Sequence, residues 1–163
     1  MNELQHLISS DGAFTPPSRI IDGISGELWN ARPDGVSHSI AEELWHVVYW
    51  LEHFLSWARC EFLPYPASSE EGWRTFGSMT PDEWNSLLSR FRQGLDDACN
   101  LAAAPIAVLS GKEATCEEPG GGRLTVYDVL INIAVHNAYH LGRVVQLRQI
   151  LRIWPPPGGG DRW

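Results

Sequence analysis

Apolar residues return every three or four positions along three long stretches of the chain, the spacing that lines one face of an α-helix. In the first, Ile40, Leu44, Val47, Leu51, Leu55 and Ala58 form a full stripe, and Ser39 with Glu42 supplies a capping box at its start. That run extends to about Cys60. The second opens at Thr80-Pro81-Asp82-Glu83 and continues to roughly Ala103. Thr80 is its N-cap, Pro81 takes the first helical position without wasting an N–H, and Glu83 closes the box. The third begins at Thr125, with Asp128 three residues on, and reaches about Ile153, where Trp154-Pro155-Pro156-Pro157 stops it.

Before these, Gly12 and Pro16-Pro17 interrupt any single helix, so two short pieces are expected. One carries Leu4, Leu7 and Ile8. The other starts near Ser18 and presents Ile20, Ile21, Ile24 and Leu28 despite Gly23 and Gly26. Sustained strand-like alternation and internal repeats are missing, which predicts an all-α protein: a four-helix bundle, three long helices and one broken one, in a single domain over residues 1–163.

The connection over residues 61–79, with Pro64, Pro66 and Gly72, exceeds the roughly 2–8 residues usual between antiparallel bundle neighbours. At about 3.3 Å per residue it outreaches a helix of about 30 Å, so it reads as a crossover that leaves the second and third long elements of the bundle parallel. The connection over residues 104–124 reads as a plain flexible loop around Gly120-Gly121-Gly122. Gly111-Lys112 is followed by Glu113, so the phosphate-cradling GxxxxGK[ST] pattern is absent, as is GxGxxG.

Composition narrows the function classes. The 163 residues are 44% hydrophobic and 20% charged, as in an ordinary folded protein, and the net charge of −8 repels a phosphate backbone, so no nucleic-acid partner is expected. No apolar stretch approaches the ~20 residues of a bilayer span, and the start MNELQHLISSDG lacks the basic and apolar regions of a leader. A cytoplasmic protein without a membrane partner is the expectation. Cys60, Cys99 and Cys116 are odd in number and widely spaced, which suits reduced thiols better than a disulfide framework or a CxxC site.

The candidate chemistry lies in the histidines. His136 and His140 stand one turn apart on a row with Val129, Ile133, Val144, Leu147 and Leu151, so both turn toward the bundle. A buried imidazole without a partner costs about 1–3 kcal/mol, so an inward pair calls for either a hydrogen-bond network or a metal. His46, inside the first long helix on a row with Glu42, Trp50, His53 and Trp57, is the best third ligand. His53 lies two turns further, some 10 Å away and too far to share an ion. His6 and His38 read as surface or local capping groups. Three neutral imidazoles without a fourth protein ligand is the arrangement of a catalytic metal site with an open position. A pair of satisfied core histidines remains the alternative.

Arg32-Pro33, His38-Ser39-Ile40, His46 in an aromatic-rich helix, His136-Asn137-Ala138-Tyr139-His140-Leu141-Gly142, and the ending Trp154-Pro155-Pro156-Pro157-Gly158-Gly159-Gly160-Asp161 together resemble the DinB-like (YfiT-like) metal-dependent superfamily. The resemblance spans most of the chain. It implies a four-helix bundle in up-down-down-up order and a divalent metal, zinc first and nickel as the alternative, on His46, His136 and His140. It further implies a small-molecule substrate, a homodimer, and S-transfer with a low-molecular-weight thiol as cosubstrate. The alternatives are a metal-dependent hydrolase and a non-enzymatic metal-binding stress-response bundle. Arg143 stands where the family usually has Gln, and would either meet an anionic group at the metal mouth or sit on the helix surface near the negative end of the dipole. Glu42 or Glu43 would act as general base or as the residue orienting His46, unless they are simply helix-start acids. No catalytic residue is assigned. The eight tryptophans read mostly as core and interface mass.

Overall fold

All three long helices start on the capping boxes that the sequence predicts. Ser39, Thr80 and Thr125 each accept from the backbone N–H three residues on, while Glu42, Glu83 and Asp128 reach back to the cap N–H at 2.8, 2.8 and 2.9 Å. Two otherwise orphaned N–H groups are satisfied at each start. The computed structural model describes residues 1–9, 14–74, 77–115 and 122–160. Within them lie α1 (Glu3–Ser9), α2 (Pro17–Ile20), α3 (Ile40–Ala58), α4 (Pro81–Leu101), α5 (Ile106–Ser110) and α6 (Val126–Ile150), with 3₁₀ turns at Gly26–Trp29 and Ser69–Gly72. Among the described residues there is no strand, only an isolated bridge between Glu113 and Thr125. No helix there is long and apolar enough to cross a membrane.

Two expectations need correction. The helix expected from Ser18 through Leu28 is only α2, because Gly23 and Gly26 adopt φ of 69° and 63°, left-handed values that end a right-handed helix. Its apolar residues still reach the core, as Ile20, Ile21 and Ile24 are buried. The connection over residues 104–124 is no plain loop: it contains α5, and it is tied by Ala114 N–H to Leu124 O and Val126 N–H to Lys112 O, both 2.9 Å. Cys116, Gly120, Gly121 and Asp161 lie outside the described residues.

The buried apolar side chains form one contiguous cluster, in which α3 packs against both α4 and α6, and α1 against the same two helices. Along α3 and α4, Glu52 pairs with Arg90 and Arg59 with Asp97, each at 2.7 Å. Between α1 and α4, Asn2 Nδ2 donates to Ala102 O and Gln5 Nε2 to Cys99 O, at 2.7 and 3.0 Å. Arg148 of α6 is buried and donates to Ile20 O, to Asp22 O at 2.9 Å and to Ile153 O at 3.1 Å. It pins the α2 region and the C-terminal segment to α6, and so steadies the helix that carries two of the histidines.

Candidate metal centre

Ile40, Leu44, Val47, Val48 and Leu51 are buried against the core, which locks the rotation of α3 and turns His46 toward α6. On α6, Val129, Ile133, Val144 and Leu147 do the same for His136 and His140. The three rings meet. Their centroids lie 5.1 Å apart for His46 and His136, 4.4 Å for His46 and His140, and 4.5 Å for His136 and His140. One nitrogen from each falls within 4.8 Å of the others. His46 Nε2 and His136 Nε2 are 3.2 Å apart. Two nitrogens bound tetrahedrally at 2.0–2.1 Å to one zinc stand about 3.3–3.4 Å apart, so that separation suits a shared ion.

Hydrogen bonds decide which nitrogens are free. His46 Nδ1 is 2.5 Å from Gly72 O, which can only accept, so Nδ1 carries the proton and Nε2 presents a lone pair. His140 Nδ1 likewise donates to Glu43 Oε2 at 2.9 Å, leaving its Nε2 free. The carboxylate of Glu43 is buried, and Arg143 Nη2 meets its other oxygen at 2.7 Å. That ion pair offsets the cost of placing the charge inside.

Burial keeps two of the rings neutral. Burial pushes His46 down to about 4, with the Gly72 hydrogen bond opposing and His140 adding to the fall. His136 falls to about 3 through burial first and then through its two neighbours His140 and His46. Neutral imidazole is the metal-binding form, so protons compete weakly for this site at physiological pH.

Aromatic rings enclose the cluster. Trp73 lies between His46 and His38, parallel to both at centroid distances of 3.9 and 3.8 Å. Trp50 and Phe54 pack edgewise on His136, and Tyr139 on His140. Beside the cluster opens a cleft of about 350 Å³ whose lining includes His38, Glu43, Tyr139, Arg143 and Gln146.

His46, His136 and His140 thus come together as the sequence predicts. Glu43 touches His140 rather than His46, whose orienting partner is Gly72 O. Glu42 takes no part: its carboxylate caps Ser39 N–H and pairs with Arg32. Arg143 faces the cleft, bound to Glu43 and 3.4 Å from His38 Nδ1. His53 is separate, with Nδ1 on Tyr49 O at 2.9 Å. His6 is exposed as expected, but His38 is neither a cap nor a simple surface group. It stacks on Trp73, with Nδ1 3.6 Å from Glu43 Oε1, and burial lowers its pKa. Gly72, Trp73 and this role of His38 went unread because they lie in irregular segments, where no periodicity shows direction.

The family model described as DinB superfamily matches residues 18–144. Neither the curated proteins nor the solved structures yield a match.

Proposed function

Because the chain belongs to the DinB superfamily and gathers three imidazoles at one point, we propose that it is a metal-dependent enzyme using a divalent ion on Nε2 of His46, His136 and His140. Zinc is the first choice and nickel the alternative. The observation that carries this reading is the pair of fixed tautomers: Gly72 O and Glu43 hold Nδ1 protons, so two Nε2 lone pairs converge beside a third nitrogen. A hydrogen-bond network alone leaves converging lone pairs with too few protons between them, which is a cation site.

The leading reaction is S-transfer with a low-molecular-weight thiol as cosubstrate. A divalent ion with an open position supplies the acidification of a bound thiol or water. The chain's own residues have separate tasks. Glu43 and Gly72 orient two ligands, Trp73 and Trp50 shield the rings from water, and the cleft beside them receives a small-molecule substrate, with Arg143 and His38 at its wall. Hydrolysis and a non-enzymatic metal-binding role are the readings this one competes with.

In the same reading, α1, α3, α4 and α6 form a bundle in up-down-down-up order and the protein is a homodimer. Support for the order comes from contacts that ascend together along α3 and α4, Glu52 to Arg90 and then Arg59 to Asp97. Between α3 and α6 they run oppositely, Glu43 to Arg143 and then His46 to His136.

Metal analysis of protein purified without added metal, on wild type and the three His→Ala variants, tests the site. One ion per chain, lost in each variant, is expected; retention in any variant removes that residue. Cobalt-substituted protein titrated with a small thiol separates the chemistries. A sulfur-to-cobalt charge-transfer band supports S-transfer, and cobalt spectra indifferent to thiols leave hydrolysis or a structural ion. Light scattering at micromolar concentration tests the dimer.

A further inference from the structure

Two of the three histidines have a visible partner for Nδ1, and the third does not. His136 Nδ1 is buried with no hydrogen-bond partner. The next residue, Asn137, is 3% exposed, and both its Nδ2 and its Oδ1 are buried without a partner as well. Three orphaned polar atoms on consecutive residues, inside a helix packed on the core, are costly: each unsatisfied group loses about 1–3 kcal/mol. An Asn at a core position with nothing to bond is worse than the Leu that would fill the same space.

We infer that Asn137 is the positioning residue of His136, bonded to its Nδ1 directly or through one ordered water. The inference rests on the metal reading above. His46 Nε2 offers a lone pair, so at 3.2 Å the metal-free contact requires that His136 Nε2 donate to it. Nδ1 is then an acceptor, which Asn137 Nδ2 can serve. With an ion on His136 Nε2, the ring proton sits on Nδ1, and Nδ1 becomes a donor that Asn137 Oδ1 can receive. A carboxamide carries both a donor and an acceptor, and it serves either tautomer by turning about its last torsion. Leu serves neither, and Asp serves only the loaded form. The residue thereby completes a set of three: Gly72 O for His46, Glu43 for His140 and Asn137 for His136.

The test compares wild type, Asn137→Leu and Asn137→Asp in zinc titrations against a chromophoric chelator, with thermal unfolding of the zinc-free proteins and ring-nitrogen NMR of the histidines. Loss of an outer partner of a metal-bound histidine typically costs 10–100-fold in affinity. Asn137→Leu should therefore bind zinc about 10–100-fold more weakly, with a cooperative melting transition of its zinc-free form showing that the fold is kept. Asn137→Asp should recover the affinity and show His136 in its Nδ1–H form when loaded. Zinc affinity of Asn137→Leu within twofold of wild type overturns the inference while leaving the metal site standing. Failure of wild type itself to bind zinc, nickel or cobalt overturns the metal reading and the inference together.

Discussion

Glu43 Oε2 accepts the Nδ1 proton of His140 at 2.9 Å, joining two residues that stand 97 positions apart in the chain. The same carboxylate holds Arg143. A buried anion here does two things: it fixes the tautomer of His140, and it raises the basicity of the nitrogen left free. Glu43→Gln keeps an acceptor but removes the charge, and is expected to weaken zinc binding roughly tenfold, at the low end of such effects. Competition with a chelator of known affinity measures it. Unchanged affinity would reduce Glu43 to a partner of Arg143 alone.

Acid should unfold the metal-free protein earlier than its carboxylates alone would. His46 and His136 are lowered from an ordinary 6.5 to about 4 and about 3, so the unfolded chain binds more protons than the folded one between those values. Their contribution to stability is full above about pH 6.5 and is lost as pH falls toward 4 and then 3. The lowered carboxyls of Asp97 and Asp128 start from 3.8, so the interval from pH 6.5 to 5 isolates the histidines. Urea midpoints in the presence of chelator should drop across that interval in wild type and drop less in His136→Leu. Parallel curves would contradict the neutral buried rings.

Two helical glycines should respond to alanine with opposite signs. A Cβ on Gly142 meets nothing within 4 Å, so Gly142→Ala gains the ordinary helix propensity, about 0.5–1 kcal/mol. A Cβ on Gly94 would stand 2.6 Å from Leu51 Cδ2, and Leu51 is itself buried where α4 packs on α3. Overpacking of this kind costs about 1–3 kcal/mol, which outweighs the propensity gain. Chemical denaturation of the two variants checks the pair, and stabilisation by both would mean that α3 and α4 have room to part.

Trp73 guards the histidines from the side of the segment that joins α3 to α4. Its ring is parallel to His46 at 3.9 Å and turned edgewise to His140 at 5.7 Å. Trp73→Ala opens that side to water, and chelator should strip zinc from the variant several-fold faster with the stoichiometry still one per chain. Stopped-flow release reads the rate. An unaltered rate would place the path of exchange at the Arg143 cleft instead.

The amino-acid sequence by itself determines the long helices and the inward direction of His136 and His140. Helix periodicity and capping are local: Ser39, Thr80 and Thr125 find their partners three residues on, and the row holding His136 and His140 is marked by its own apolar members. The end of helix after α2 is local too, set by Gly23 and Gly26 with their left-handed φ. Tertiary structure decides the rest. It brings His46 within 3.2 Å of a residue 90 positions later, and it chooses Glu43 over Glu42 because the capping box had already engaged Glu42. It also lays Gly72 and Trp73, from a segment with no period, against the histidines. Those contacts follow from how α3 and α6 share a core and how the segment between α3 and α4 lies against them, and such long-range packing leaves no mark at the three-to-four-residue spacing from which helices are read.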